Sequence, residues 1–244
     1  GAEADRMVRE GRWSGWHTEF MIGAGLDGRR LGIIGMGRIG QAIATRARAF
    51  GMEIHYHNRS QVSPADEAGA TWHKTAEGLL ANADILSLNC PLTDETRNFL
   101  DAQRIALLPE GAIVINTSRG DVIDDDALIS ALKSGRISAA GLDVFRGEPA
   151  LNPGYAGLPN TFLTPHIGSS TREGRNGMGY QALDNLDAFV QRDLIVVGTD
   201  GHLLLGKDRA GVYLEGGKVN CATRDVHPGG QGITHAVPAR EGRQ

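Results

Sequence analysis

The chain has 244 residues, and its 25 lysines and arginines against 29 aspartates and glutamates give a formal net charge of −4. A charge this close to neutral lacks the clustered basic residues that nucleic acid or an anionic membrane requires, so we expect neither partner. The two cysteines, Cys90 and Cys221, are far apart, and no apolar run approaches the length of about 20 residues that crosses a bilayer. We therefore expect a reduced, cytoplasmic globular protein without a disulfide framework.

Short apolar segments alternate with helical patterns over residues 31–192, which is typical of βαβ units around a parallel sheet. The sequence predicts strands at residues 31–35, 53–57, 70–73, 84–88, 112–116, 138–144 and 161–163. It predicts helices at residues 2–10, 38–50, 75–81, 101–107, 125–133 and 171–190. Asp124 and Thr171 stand where helix N-caps are expected. The pattern predicts a doubly wound α/β fold with residues 1–192 as one domain, which the glycine motif described below predicts to be a dinucleotide-binding domain.

The C-terminal segment, residues 193–244, has a different composition, rich in glycine. Its segments 194–205 and 212–220 resemble hairpins with glycine-containing turns, and a polar stretch follows them. This pattern predicts either a small β unit or an unstructured tail. No function follows from it.

The first strong motif is GMGRIG at residues 35–40, which follows a predicted strand and opens a predicted helix. In this position the first glycine forms the turn, the second admits a pyrophosphate, and the third lets helix and strand approach. The helix N-terminus offers N–H groups and a positive dipole end to the phosphates. The motif predicts cofactor-binding residues at Gly35, Gly37, Arg38, Ile39 and Gly40.

The end of the second strand indicates which dinucleotide binds. Enzymes that use NAD usually carry an acidic residue here, which bonds the ribose 2′-hydroxyl. This chain has Asn58, Arg59 and Ser60 instead, which offer neutral and cationic donors to a 2′-phosphate. The segment favours NADPH, with NADH as the alternative, although an arginine in a turn is often simply solvated.

Two histidines on that strand, His55 and His57, project to the same face because side chains alternate along a strand. Two histidines could begin a metal site, but the sequence shows no evident third ligand. We therefore predict no metal.

Further polar residues follow later strands, where ligands bind in a doubly wound sheet. One cation, one carboxylate and one imidazole, namely Arg119, Glu148 and His166, could meet there. Taken singly, each has a simpler explanation: Arg119 could neutralise Asp121, Glu148 could lie in a loop, and His166 could be a turn residue. Their joint placement is what makes them candidates.

Taken in order, the segments LGIIGMGRIGQAIA, HYHNRS, NCPLTDETRNFL, INTSRGDVIDDDAL, GLDVFRGEP and LTPHIGSST, preceded by WSGW, resemble the D-2-hydroxyacid dehydrogenase family. The resemblance covers residues 4–192 and is closest to the glyoxylate/hydroxypyruvate reductase branch. It implies that His166 gives a proton to the substrate carbonyl as hydride arrives from the nicotinamide. It also implies that Glu148 pairs with His166 and that Arg119 holds the carboxylate of a small 2-oxoacid.

The resemblance also extends the cofactor site. It implies that one residue contacts the nicotinamide amide, that others line the cofactor cleft, and that Cys90 is a liner rather than a nucleophile. These residues are Asp143, Cys90, Pro91, Thr117 and Gly168. Glu148 argues against the formate dehydrogenase branch, which carries glutamine there.

The family comparison leaves three expectations about the wider protein. The N-terminal half of the substrate domain is missing from this sequence, so we expect the chain to bind cofactor but to turn over poorly. The segment 3–16 is expected to contribute to a homodimer. The alternative functions are a dinucleotide-sensing module, as in the C-terminal-binding-protein corepressors, and an NAD-dependent enzyme such as phosphoglycerate dehydrogenase.

Overall fold

The computed structural model describes residues 2–190, 211–215 and 218–222. The chain divides into two compact units, Gly1–His166 and Ile167–Gln244. The first unit contains a parallel sheet, whose strands in chain order are β1 (Arg30–Ile34), β2 (Glu53–His57), β3 (Thr71–Trp72), β4 (Ile85–Leu88), β5 (Ala112–Asn116), β6 (Ile137–Leu142) and β7 (Thr161–Leu163).

Helices connect most of these strands. In the first unit they are α1 (Ala2–Arg9), α2 (Arg38–Arg48), α3 (Pro64–Glu67), α4 (Ala76–Leu80), α5 (Ala102–Leu107), a 3₁₀ turn (Gly120–Val122) and α6 (Asp125–Ser134). The second unit contains α7 (Arg172–Val190) and an antiparallel hairpin of β8 (Gly211–Glu215) and β9 (Lys218–Ala222). No helix of the described residues is both long enough and apolar enough to cross a membrane.

The strand order of the sheet is β3-β2-β1-β4-β5-β6-β7, and every pairing is parallel. The chain runs outwards from β1 in one direction and then returns to continue from β4 in the other. This order confirms the predicted doubly wound fold. It also creates a switch point between β1 and β4, which is where such sheets bind ligands.

Apolar side chains bury both faces of the sheet. On β1, Leu31 and Ile33 belong to one buried cluster with α2, whereas Ile34 belongs to a larger cluster with α4, α5 and α6. Because neighbouring side chains on a strand point to opposite faces, a strand covered on both sides must be apolar at nearly every position. That requirement explains why the sequence reads LGII here.

The structure agrees with most of the predicted elements and differs at their ends. Strands β2, β5 and β7 have the predicted bounds, and Asp124 caps α6 by accepting the Ala127 N–H at 3.1 Å. Strand β6 runs from Ile137 to Leu142, so the prediction of residues 138–144 was wrong at both ends. The predicted hairpin at 212–220 corresponds to β8 and β9, whereas the hairpin predicted at 194–205 lies outside the described residues.

Helix α3 was not predicted. It has only four residues, too few to show apolar periodicity, but Ser63 caps it by accepting the Asp66 N–H at 3.2 Å, and Pro64 opens it. Serine followed by proline is a recognised helix start, so the signal was present in the sequence. The predicted domain boundary at residue 192 stays a prediction, since residues 191–210 are outside the described part of the chain.

Candidate active site

All strands of the sheet are parallel, so their carboxyl ends lie along one edge, which we call the carboxyl edge. Four of the predicted site residues directly follow strands at this edge. Gly35 follows β1, Asn58 follows β2, Thr117 follows β5 and Asp143 follows β6. Gly168 belongs to the second unit, so its place in the site stays a prediction.

The glycine loop between β1 and α2 shows what each glycine does. A Cβ atom at Gly35, where φ is +99°, would lie 2.7 Å from the Asn89 carbonyl oxygen. A Cβ atom at Gly40 would lie 2.3 Å from the Gly35 carbonyl oxygen, so this glycine lets α2 pack on the loop. At Gly37, in contrast, a Cβ atom would project into open space. The first and third glycines are therefore needed by the fold, and the second is not.

The open space at Gly37 fits the approach of a pyrophosphate. Gly37 is the N-cap residue of α2 and has no side chain to satisfy the N–H groups of the first turn. These groups and the positive end of the helix dipole suit an anion. Arg38 is exposed, and Ile39 is 61% exposed at the first turn, where apolar surface would be covered by a ligand. The residues present thus fit a dinucleotide.

Asn58 has a contact that the sequence did not reveal. Its Oδ1 accepts a hydrogen bond from the Met36 N–H at 2.7 Å, which ties the end of β2 to the glycine loop. Because this oxygen is the acceptor, the Nδ2 amide is the group left to donate elsewhere. Arg59 and Ser60 follow it and are exposed.

Cys90 and Pro91 lie beside the same loop. The Asn89–Cys90 backbone is what a Cβ atom at Gly35 would strike, so the two loops are in direct contact. Cys90 is buried, and burial raises the pKa of its thiol to about 11, despite an opposing backbone hydrogen bond. A thiol in this environment stays protonated near neutral pH, which fits the expected lining role.

The Thr117–Arg119 loop after β5 is organised by Asn116, which is buried. Its side-chain oxygen accepts from the Ser118 N–H at 3.0 Å, and its amide donates to the Arg119 carbonyl at 2.9 Å. Thr117 and Arg119 are exposed at the resulting turn. The sequence analysis assigned no role to Asn116, although a buried amide directly after an apolar strand was a usable signal.

His166 and Glu148 form the closest pair of candidate catalytic groups. His166 Nδ1 lies 2.7 Å from Glu148 Oε2, and Glu148 Oε1 accepts from the Phe145 N–H at 2.7 Å. An ionised carboxylate only accepts hydrogen bonds, so Nδ1 is the donor in this pair and Nε2 is left for another partner. The His166 side chain is about half exposed, as a group that meets a substrate must be.

Arg119 lies close enough to Glu148 for its positive charge to act on the carboxylate. Partial burial opposes ionisation of this carboxyl, but the hydrogen bonds from His166 and Phe145 and the charges of His166 and Arg119 lower its pKa overall. Glu148 is therefore ionised at neutral pH and acts there purely as a hydrogen-bond acceptor. The structure thus brings the three predicted catalytic residues together.

Gly120 joins the loops that carry these residues. A Cβ atom there would lie 2.0 Å from the Phe145 carbonyl carbon and 2.3 Å from the Arg146 nitrogen. The backbone after Arg119 is therefore in contact with the backbone that precedes Glu148. Arg146 adds hydrogen bonds to Asn98 Oδ1 and to the Ile123 carbonyl. The sequence analysis quoted Gly120 without a role, since a close backbone approach is visible only in the fold.

Asp143 lies beyond the end of β6 and is buried. Its Oδ1 accepts from the Thr164 hydroxyl at 2.6 Å, and its backbone N–H donates to the Asn116 carbonyl at 3.0 Å. It therefore connects the ends of β5, β6 and β7 at the carboxyl edge. Its predicted contact with the nicotinamide amide stays a prediction.

The two histidines of β2 meet a third one. His55 Nδ1 lies 3.0 Å from His73 Nε2, and His57 Nδ1 lies 2.9 Å from the His73 carbonyl oxygen. Burial, and then the charges of His55 and His57, lower the pKa of His73. Among the described residues, no group of three or more histidine, cysteine or acidic side chains is arranged to hold a metal ion.

Comparison with known proteins places this geometry in a family. Residues 1–168 match the model for the D-isomer specific 2-hydroxyacid dehydrogenase, NAD binding domain. The chain is 47% identical over 189 residues to a glycerate dehydrogenase of Hyphomicrobium methylovorum, covering 77% of this chain and 59% of that protein. It is 46% identical over 196 residues to a glyoxylate reductase of Thermococcus litoralis, covering 79% and 59%.

The fold of this chain also matches that of a solved structure. The NADPH-dependent glyoxylate/hydroxypyruvate reductase of Sinorhizobium meliloti, in complex with NADP and malonate, superposes with a TM-score of 0.72 at 37% identity, covering 78% of this chain and 58% of that chain. The chain thus spans less than two thirds of the length of these relatives. The fold, the carboxyl-edge residues and the family model agree: the chain belongs to the D-isomer specific 2-hydroxyacid dehydrogenase family, through its NAD-binding domain.

Proposed function

We propose that this chain is the cofactor-binding and catalytic part of a cytoplasmic reductase, which transfers a hydride from NADPH to a small 2-oxoacid such as glyoxylate or hydroxypyruvate. The observation that carries the proposal is the His166–Glu148 pair at 2.7 Å, with Arg119 acting on the same carboxylate. The names of the relatives support it, because they include glyoxylate reductases and a glycerate dehydrogenase.

Each of the three side chains has a defined task in this reaction. A bound nicotinamide dinucleotide supplies the hydride. Glu148 accepts from His166 Nδ1–H, so in the imidazolium form of the ring it is Nε2–H that gives its proton to the carbonyl oxygen, which leaves a neutral imidazole with its proton on Nδ1. Arg119 offers a planar pair of donors that matches the carboxylate of a 2-oxoacid. The loop contact at Gly120 holds Arg119 and Glu148 in a fixed relation.

A single-turnover assay tests the reductase activity. An excess of protein is mixed with NADPH and glyoxylate, and loss of NADPH absorbance is followed. We expect His166→Gln to slow this step by about 100-fold or more, since it removes the proton donor. NADPH affinity should be unchanged, because His166 lies outside the glycine loop. An undiminished rate in the variant would contradict the role of His166, and no oxidation in the parent chain would contradict the proposed reaction.

The preference for NADPH rests on the end of β2. The three residues directly after this strand include no carboxylate, and Asn58 keeps its Nδ2 donor available while Oδ1 holds the glycine loop. Arg59 and Ser60 are exposed beside it. A 2′-phosphate would meet donors and a positive charge here, whereas a carboxylate would repel it. The relative named as NADPH-dependent supports the same preference.

Asn58→Asp is the sharpest test of the cofactor preference. Aspartate has nearly the same shape and can still accept from the Met36 N–H, but its second oxygen replaces the amide donor with negative charge. We expect tenfold or greater weakening of NADPH binding and equal or tighter NADH binding, measured by titrating cofactor fluorescence. Asn82→Asp is the matched control, because Asn82 lies before the start of β4, away from the carboxyl edge, and this substitution should leave both affinities unchanged. A parent chain that binds NADH more tightly would move the function to the NAD-dependent enzymes.

We also propose a homodimer formed through the N-terminal segment. Three large side chains of this segment, Val8, Trp13 and Trp16, are more than half exposed, and a second copy of the chain would cover them. Light scattering on a sizing column tests this, and a strictly monomeric chain would contradict it. The corepressor alternative is disfavoured, because a sensor would not require Arg119, Glu148 and His166 together.

A further inference from the structure

We propose that Tyr56 is a positioning residue for cofactor specificity, acting through the segment 58–62, which we call the phosphate loop. This inference rests on the proposed NADPH preference. Tyr56 lies on β2, two residues before Asn58, and is fully buried in the cluster shared with α2. It touches no part of the predicted cofactor site itself, so any effect on binding must pass through the loop.

The Tyr56 hydroxyl makes two hydrogen bonds. It donates to Glu67 Oε1 at 2.7 Å and accepts from the Val62 N–H at 3.2 Å. Burial and the bond to Glu67 raise its pKa to about 12, so the hydroxyl stays protonated and can serve both partners. A buried hydroxyl with both functions satisfied joins Val62 to the end of α3.

Glu67 strengthens this junction. The same oxygen that accepts from Tyr56 also accepts from Gln61 Nε2 at 2.9 Å, and the Glu67 carbonyl accepts from Arg48 Nη2 at 2.9 Å. The bonds from Tyr56 and Gln61 lower the pKa of the Glu67 carboxyl, so it is ionised and acts purely as an acceptor near neutral pH. Helix α3 is thereby fixed to α2 and to the loop.

The phosphate loop is therefore held at both ends. At its start Asn58 is bonded to the Met36 N–H, and at its end Val62 is bonded to Tyr56. Between them, the side chains of Arg59 and Ser60 make no hydrogen bond to any other described residue. Two fixed ends reduce the conformations that these side chains must give up on binding a phosphate, so less binding energy is lost.

This arrangement affects the two cofactors differently. The 2′-phosphate is the part of NADPH that NADH lacks, and it is the part that Arg59 and Ser60 would contact. Loosening the end of the loop should therefore weaken NADPH binding more than NADH binding. A purely structural role of Tyr56 would weaken both to the same extent or neither.

Tyr56→Phe tests the proposal, because it keeps the ring in the core and removes only the hydroxyl. We expect NADPH affinity to fall about three- to tenfold and NADH affinity to change less than twofold, by fluorescence titration of the 244-residue chain. Glu67→Gln retains an oxygen acceptor and should keep most of the preference. Glu67→Ala should reproduce the effect of Tyr56→Phe. Because Glu67 is only half-buried, this substitution puts folding at less risk.

Tyr155→Phe is the matched control. Tyr155 is also buried, and it also donates to a carboxylate, Asp125 Oδ1 at 2.9 Å, but it belongs to another part of the first unit. We expect it to leave the NADPH to NADH affinity ratio unchanged. An unchanged ratio in both Tyr56→Phe and Glu67→Ala would overturn the positioning role. A parent chain without NADPH preference would instead refute the proposed cofactor, so the two failures are distinguishable.

Discussion

The two edges of the parallel sheet are built differently. At the amino edge, Arg30 on β1 and Asp84 before β4 form a closed pair, in which Asp84 accepts from the Arg30 backbone N–H, Nε and Nη2 at 2.7–3.0 Å. At the carboxyl edge, Gly37 faces open space and Arg59 is exposed without a hydrogen-bond partner among the described residues. Satisfied polar groups at one edge stabilise the fold, and available groups at the other can bind a ligand.

The presence of a cavity does not distinguish the predicted ligand-binding edge from the other edge. A surface cavity of about 350 Å³ opens near the amino edge, beside Glu53 and Thr71 at the starts of β2 and β3. None of the predicted site residues lines it. The predicted dinucleotide site is instead an open surface of loop backbone at the carboxyl edge, and it is distinguished by its chemical groups rather than by a cavity.

The largest effect is expected at Gly37. Gly37→Ala adds a methyl group to the open space where a pyrophosphate would lie, and the backbone there is extended, at φ −82° and ψ −166°, which alanine adopts freely. We expect at least a tenfold loss of NADPH affinity, with the free energy of unfolding changed by less than about 0.5 kcal/mol. Titration and urea denaturation measure the two. Gly157→Ala, also into open space, is the control and should alter neither.

For Gly40→Ala the main loss should be in the free energy of unfolding rather than in NADPH affinity. Its methyl group would lie 2.3 Å from the Gly35 carbonyl oxygen and 3.2 Å from Ile33 Cγ2, so α2 must shift away from β1. We expect a loss of about 1–3 kcal/mol in the free energy of unfolding, measured by urea denaturation. Wild-type stability in this variant would show that the packing between loop and helix is looser than the structure indicates.

A smaller effect on stability alone is expected from Asp84→Asn. The hydrogen bonds from Arg30 lower the pKa of the Asp84 carboxyl below its ordinary value of 3.8, although burial opposes this. Its stabilising contribution is therefore complete above that pH and is lost as pH falls through the lowered value. We expect the variant to be about 1–2 kcal/mol less stable at pH 7 and equal to the parent in strong acid. Denaturation at several pH values measures this, and a constant difference would contradict it.

A smaller loss of stability than that of Asp84→Asn is expected from Glu148→Gln at the carboxyl edge. The pKa of this carboxyl is also lowered, so its contribution likewise disappears as pH falls below about 4.5. Its side chain is about one third exposed, so solvent screens the pair with His166, and the variant should lose less stability than Asp84→Asn. Single-turnover reduction of glyoxylate should nevertheless slow by tenfold or more. A loss of stability larger than that of Asp84→Asn would contradict the view that the amino edge stabilises the fold more than the carboxyl edge does.

The sequence predicted features that depend on local pattern or on motif order. Apolar runs with flanking turns located β2, β5 and β7, and the GMGRIG motif located the glycine loop with the residues that surround it. The placement of Arg119, Glu148 and His166 after strands made them candidates, but only the resemblance to a family gave them roles, because they are separated along the chain and meet only when β5, β6 and β7 align.

What the sequence did not predict depends on contacts between distant segments. The bond from the Met36 N–H to Asn58 crosses from one strand end to the next, and Tyr56 reaches Glu67 through a helix too short to be periodic. Neither contact has a spacing that a single sequence displays. The open space at Gly37 is likewise a property of packing, and the motif alone does not show which glycine leaves room.

The most direct test of the contrast between the two edges is an NMR titration of the ¹⁵N-labelled chain with NADPH. We expect the amide signals that shift to belong to the carboxyl edge, namely the glycine loop, the phosphate loop, and the residues around Cys90 and Thr117. The amides of Arg30 and Asp84 at the amino edge should stay in place. Shifts concentrated at the amino edge, or no shifts at saturating NADPH, would contradict the assignment of the cofactor site.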